Sequence, residues 1–184
     1  MEEGLVVCRA NHVPLTPLSF LERAAFVYPK RIALIHGNIS YSWQELHGRC
    51  LNLASALQLG VSLVILQLGM LPTIYMETTI GGDNDVAAVV PNVPALYELH
   101  FSVPMAGAVL SALNTQLDAS TLAQILQQLG GQRSTGKPKG VVYSHRAAYL
   151  NAIADIFRYE MWKSPVFLWT VDMFRCNGWV SPGQ

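Results

Sequence analysis

Residues 134–145 read Ser-Thr-Gly-Lys-Pro-Lys-Gly-Val-Val-Tyr-Ser-His, a cationic, hydroxyl-bearing turn joined to an apolar run. Ser134 and Thr135 offer hydroxyls, and Lys137 and Lys139 bring positive charge. Gly136 has no Cβ, so the backbone there can approach a ligand closely. Pro138 stiffens the turn by holding φ. Successive backbone N–H groups in such a turn make a concavity suited to phosphate oxygens. An exposed turn with two solvated lysines has the same composition, and short motifs also match by chance. A P-loop is excluded, although Gly131, Gly136 and Lys137 keep its spacing. The next residue is Pro138, which has no hydroxyl for Mg²⁺, and the turn follows an expected helix and precedes an expected strand, the reverse of a P-loop.

A chain of 184 residues suits one domain or slightly more. Its hydrophobic share is 51% and its charged share 13%, with zero formal net charge. Soluble domains carry about 25% charged residues, so part of the apolar surface here is expected to be covered by something outside this chain. A neutral balance argues against nucleic acid, which needs a basic face. Cys8, Cys50 and Cys176 have neither zinc spacing nor a disulfide framework, which suits a reducing compartment. The first residues carry no secretory signal and the last no Ser-Lys-Leu tail, so a cytoplasmic location is expected.

Several elements follow from spacing. Thr16 and Pro17 open a helix that stops before Pro29, with Ser19 and Glu22 at capping-box distance. Residues 31–36 and 39–41 pair across a Gly37-Asn38 turn as a hairpin. Ser42 and Glu45 repeat the capping-box spacing before a helix with Leu46, Cys50, Leu53, Ala54 and Leu57 on one face and Gly60 as its C-terminal cap. Residues 61–82 are unusual. Their apolar run is broken by Gln67, Gly69, Pro72 and Thr73 before it reaches the roughly 20 residues of a membrane span. Residues 85–90 form a buried-type strand. Asn92 is placed to cap the next helix, with Pro94 in its first turn. Ser102 and Pro104 are expected to restart a second helix, whose Ala106, Gly107 and Ala108 allow close packing. Residues 120–129 form a short helix ended by Gly130 and Gly131.

Beyond the cationic turn, residues 140–143 are expected as a strand. Ser144 caps a helix with Tyr149, Leu150, Ile153, Ile156 and Phe157 on its apolar face. Residues 166–171 are expected as a second strand. Strand, helix, strand over this length is a βαβ unit, and continuous apolar strands belong in sheets covered on both faces. The fold class is therefore α/β, a mostly parallel sheet flanked by helices.

The order of four pieces resembles the AMP-forming acyl-activating enzymes, above all the plant-type benzoate– and butyrate–CoA ligases. The pieces are Thr16-Pro-Leu-Ser-Phe-Leu-Glu-Arg-Ala-Ala, Pro91-Asn-Val-Pro-Ala-Leu-Tyr-Glu-Leu-His running on through residues 103–110, the 134–145 stretch, and Leu168-Trp-Thr-Val-Asp-Met-Phe-Arg-Cys-Asn-Gly-Trp. The resemblance implies that a carboxylic acid, fatty or aromatic, reacts with Mg-ATP to give an acyl-adenylate, which coenzyme A then takes over. It implies phosphate contacts from Ser134, Thr135, Gly136, Lys139 and Gly140, foremost Thr135 and Lys139. Asn177 and Gly178 would line the acyl pocket. No residue is assigned as catalytic, none as a metal ligand, and no oligomeric state follows.

Departures from the family pattern matter as much. The family loop reads T-S-G-T-T-G-x-P-K-G, and here Gly131, Gln132 and Arg133 replace its first three positions. Arg175 stands where a histidine is usual, so it must find a partner or reach water. The segment that normally precedes the loop is mostly missing, residues 63–82 look inserted, and no C-terminal lid domain follows. The resemblance thus implies an incomplete N-terminal domain over residues 1–184 with little or no activity. A non-catalytic nucleotide- or protein-binding fragment and a mis-predicted gene product are the alternatives. His12, His36, His47 and His100 are expected as surface or packing residues, His145 as a polar residue of a helix start, and Cys176 as a small hydrophobe.

Overall fold

Hydroxyls and a proline start the first helix. In the computed structural model, which describes residues 13–58, 75–77, 85–129, 142–161 and 165–175, α1 spans Leu18–Val27. The Thr16 hydroxyl accepts from the Leu18 N–H at 3.3 Å, and Ser19 Oγ donates back to the Thr16 carbonyl at 2.7 Å. Ser19 already lies inside the helix, so its expected capping box with Glu22 does not form.

The hairpin forms as expected. β1 (Ile32–His36) pairs antiparallel with β2 (Ile39–Ser42), and Gly37 turns the chain at φ +57°. α2 (Trp43–Gln58) follows directly. Its capping box is complete: the Ser42 N–H donates to Glu45 Oε2 at 2.8 Å, and the Glu45 N–H donates to Ser42 Oγ at 3.3 Å. Ser42→Ala removes one of these two bonds. It should cost about 1 kcal/mol, a fall of about 3 °C in Tm by differential scanning calorimetry. Leu46, Cys50, Leu53 and Ala54 are buried, as their spacing requires. Gly60, the expected cap, lies outside the described residues.

The sheet is small. β4 (Asp85–Val89) runs between β3 (Tyr75–Glu77), antiparallel to it, and β5 (Val109–Leu113), parallel to it. β3 falls inside the 63–82 stretch that reads as an insert, so part of that stretch joins the sheet. α3 (Pro94–Met105) connects β4 to β5, which makes residues 85–113 a βαβ unit. This fits an α/β domain with helices beside a partly parallel sheet.

Three expectations change here. First, α3 continues through Ser102 and Pro104. Residues 106–108 are not a second helix but its C-terminal cap: Gly107 takes φ +81°, its N–H bonds the Pro104 carbonyl, and the Ala108 N–H bonds the Val103 carbonyl. That pair of bonds is a Schellman motif, which a glycine at this position permits. Second, α3 starts at Val93 without a side-chain cap, because the Asn92 amide is engaged elsewhere. Third, Val142, Tyr143 and residues 165–171 belong to no strand. An apolar run becomes a strand only beside a free edge that can complete its ladder, and here Val166 and Leu168 stay 98% and 80% exposed.

α4 (Ala119–Leu129) is capped by Asp118, whose Oδ1 accepts from the Thr121 N–H at 2.9 Å. Gly130 and Gly131 lie outside the described residues. α5 (His145–Arg158) starts at Ser144 as expected. Its apolar face does not become core: Leu150, Ile156 and Phe157 are exposed, and the buried residue is Asp155, which accepts from Asn151 Nδ2 at 3.2 Å. The core instead forms two clusters. One joins α3 to β4, with Val86, Ala88, Leu96, Leu99 and Val103. The other joins α1, α2 and α3 through Leu21, Leu46, Cys50 and Phe101.

Candidate functional site

The phosphate-turn residues Ser134, Thr135, Gly136, Lys139 and Gly140 and the pocket residues Asn177 and Gly178 lie outside the described residues. The structure does describe the segments next to them in sequence: the start of α5 and residues 165–175.

At the first, the Ser144 hydroxyl accepts from the Ala147 N–H at 3.2 Å. His145 is exposed and shares a hydrogen bond of 2.8 Å with the Thr16 hydroxyl. One turn on, Tyr149 stacks on Phe20 with centroids 4.6 Å apart. Two residues of the first motif piece, Thr16 and Phe20, therefore contact α5, the helix that follows residues 134–140 in sequence. Among the described residues the partner of His145, at the start of α5, is the Thr16 hydroxyl.

At the second, Asn92 is the organising residue. Its Nδ2 donates to the Val171 carbonyl at 3.0 Å, and its Oδ1 accepts from the Met173 N–H at 2.8 Å. A carbonyl and the N–H two residues later are the pair that a neighbouring strand would engage, so one side-chain amide replaces a rung of a sheet. Met173 is buried in the α3 cluster, and Trp169 packs edge-on against Tyr97 at 5.5 Å. His100 lies beneath, 8% exposed. Its Nδ1 is 2.7 Å from the Leu96 carbonyl, and the ring also hydrogen-bonds the Met173 backbone. Burial pushes its imidazole down to about 4, so it is neutral at pH 7; the two backbone contacts oppose that shift without reversing it. Among the described residues, Trp169 Nε1 and Ser102 Oγ are buried with no hydrogen-bond partner.

Sequence spacing assigned Asn92 to a helix cap and His100 to packing. The local signal against a cap at Asn92 was Pro94, which lacks one of the two N–H groups such a cap would bond. Arg175 meets the requirement set by its charge by reaching water, with its guanidinium 5.5 Å from the Phe174 ring centroid. Cys50 is inert: burial raises its thiol to about 12. Among the described residues no cluster of three His, Cys, Asp or Glu side chains could hold a metal ion, and no helix is long and apolar enough to cross a membrane.

No family model matches the chain. Individual proteins do. A probable peroxisomal acyl-activating enzyme 12 of Arabidopsis thaliana is 33% identical over 260 residues, covering 96% of this chain and 42% of that protein. A peroxisomal benzoate–CoA ligase of the same plant is 32% identical over the same shares. The chain thus spans less than half the length of these curated relatives. Since 260 positions are aligned against a chain of 184, at least 76 of them face no residue of this chain. Among solved structures, the o-succinylbenzoate–CoA synthetase of Bacillus subtilis in complex with its acyl-adenylate intermediate matches with a TM-score of 0.67. That match covers 90% of this chain and 52% of that one at 16% identity, a likeness of fold.

Proposed function

The chain is a homologue of the AMP-forming acyl-activating enzymes along 96% of its length, and from that premise we propose that it carries part of the machinery by which ATP activates a carboxylic acid. A carboxylate oxygen attacks the α-phosphorus of ATP, and the bond to the bridging oxygen breaks to release pyrophosphate. The thiolate sulfur of coenzyme A then attacks the acyl carbon and AMP leaves. Charge builds on phosphate oxygens in the first step, so the site needs fixed N–H groups, hydroxyls and cations around them. Thr135 and Lys139, with Ser134, Gly136 and Gly140, fill that role in this reading. In sequence the stretch precedes α5, whose N-terminal dipole would favour an anion brought near it. Mg²⁺ would arrive bound to ATP. Asn177 and Gly178 would face the acyl group, a small fatty or aromatic acid, given the benzoate and butyrate named for relatives.

The observation that carries this reading is the alignment along nearly the whole chain with the four motif pieces in order. The unmatched positions qualify it. Removing a single preorganised donor can cost about 3 kcal/mol in the transition state, and this chain lacks three loop positions at least. We therefore assign residues 1–184 to an incomplete N-terminal domain that binds nucleotide and turns over slowly or not at all alone. A non-catalytic nucleotide- or protein-binding role is the second reading, favoured by the uncovered apolar faces of α5 and residues 166–168. For location, the cytoplasm is proposed, with the peroxisome of the named relatives as the rival; a fluorescent fusion distinguishes them.

Calorimetric titration with Mg-ATP is the test, beside circular dichroism to establish folding. Saturable, Mg²⁺-dependent binding is expected. Lys139→Ala should weaken it by about 10- to 100-fold, the worth of one charge-assisted hydrogen bond, without changing the dichroism spectrum. Equal binding by that variant removes Lys139 from the site, and no binding by the folded parent chain rejects the reading.

A further inference from the structure

We infer that the exposed face of α5 is a docking surface for an acidic amphipathic helix of another polypeptide. Ala147, Leu150, Ala154 and Phe157 follow one another at steps of three, four and three residues, the spacing of a and d positions over two heptads. All four are exposed, Leu150 at 47% and Phe157 at 67%. The opposite face is the one turned to the fold: His145 bonds Thr16, Tyr149 stacks on Phe20, and Asp155 is buried. A helix that packs by one face needs one apolar stripe, and α5 carries this second seam besides. The seam alternates small and large side chains. Its alanines let a partner backbone come close, and Leu150 and Phe157 supply the apolar area to be covered.

The flanks of the seam select the partner. In the same register Arg146 is a g position, and Asn151 and Arg158 are e positions; both arginines are exposed. Side chains at e and g meet across a helix pair and set partner choice. Asp155 is buried and accepts from Asn151, so it is not on this rim. Glu160, the next g position, lies past the end of α5 at φ +49° and leaves the register. A partner with glutamate or aspartate at its own e and g positions meets both arginines. A second copy does not, because its flanks bring Arg146, Asn151, Ile153 and Arg158 and no acid in either orientation. The formal net charge of the chain is zero, so a preference for acid reports these two arginines and not bulk attraction. The surface contains no residue assigned to phosphate or acyl contact, and it stands independently of nucleotide binding.

The test uses the whole chain and a fluorescent three-heptad peptide with leucine at a and d and glutamate at e and g, whose own charges oppose self-pairing. Anisotropy should show saturable binding. The same peptide with lysine at e and g should bind about tenfold more weakly, since two attractive pairs become repulsive. Leu150→Ser with Phe157→Ser should weaken binding by at least about tenfold without changing the dichroism spectrum. Arg146→Glu with Arg158→Glu should reverse the order and favour the lysine peptide. That variant keeps the apolar seam, so it decides the question if the serine variant does not fold. No saturable binding, equal binding of the two peptides, or an order that the arginine variant leaves unchanged each overturns the inference. So does a dimer in sedimentation equilibrium that Phe157→Ser abolishes, which would assign the seam to a second copy.

Discussion

Arg49→Met should destabilise the fold by about 3–4 kcal/mol at pH 7, seen as a lower urea midpoint with unchanged slope. Glu98 projects from α3 with its side chain 3% exposed, and Arg49 of α2 meets it through two nitrogens, Nε on Oε1 and Nη2 on Oε2 at 3.2 Å. The guanidinium also lies 4.5 Å from the Tyr41 ring centroid, so it ties α2, α3 and the hairpin together. The hydrogen bonds it donates to Glu98 hold the guanidinium above its ordinary pKa, with burial opposing. Removing the arginine leaves a buried carboxylate alone, which typically costs about 3–5 kcal/mol. The reverse change is milder. Arg49 is one-third exposed and can turn to water, so Glu98→Leu should cost about 1 kcal/mol, and the double variant should lie within about 1 kcal/mol of the parent. A deficit for Arg49→Met that equals the one for Glu98→Leu would show that the pair contributes no more than a surface bridge.

Local chemistry was mostly legible in the sequence where it is self-contained, the Ser19–Glu22 box being the exception because α1 begins one residue before Ser19. The Ser42–Glu45 box, the Ser144 cap and the Gly37 turn each need only residues within four positions, and each forms. What depends on distant partners was not. Asn92 has the type and place of a helix cap, yet its amide engages Val171 and Met173, about 80 residues away, an allocation no local rule contains. Residues 102–110 carry a serine and a proline that suggest a helix start, whereas tertiary burial of Ser102 and Val103 carries α3 past them to the Gly107 cap. The strand at 109–113 is short and rich in residues tolerated in either state, so its pairing with β4 decides it. The candidate site divides the same way. Thr135 and Lys139 are proposed for phosphate contact from their residue types and the family resemblance, and both lie outside the described residues. Thr16 and Asn92, by contrast, make their contacts to His145, Val171 and Met173 across long separations.

Periodicity reports which face of a helix could be buried, and neighbours decide whether it is. α3 and α5 give the sharpest contrast. Leu96 is fully buried among Val86, Leu99 and Val103, while Phe157, on an equally regular apolar face, is 67% exposed. Leu96→Ala should cost about 3–5 kcal/mol, the transfer of the lost methyl groups plus the cavity that a helix pinned on β4 and β5 cannot close. Phe157→Ser should change stability by less than about 0.5 kcal/mol, since serine and phenylalanine have similar helix propensities and no packing is lost. Chemical denaturation of the two variants side by side measures both. Equal losses would mean that α5 is covered in solution by apolar groups of this chain or of a second copy, and dilution separates these, because only association makes the Phe157 effect concentration-dependent. The expected inequality means that this chain keeps its core on α3 and leaves the face of α5 uncovered. An uncovered face of that kind is what α5 would keep if part of its packing surroundings lay among the 76 or more aligned positions that have no counterpart in this chain.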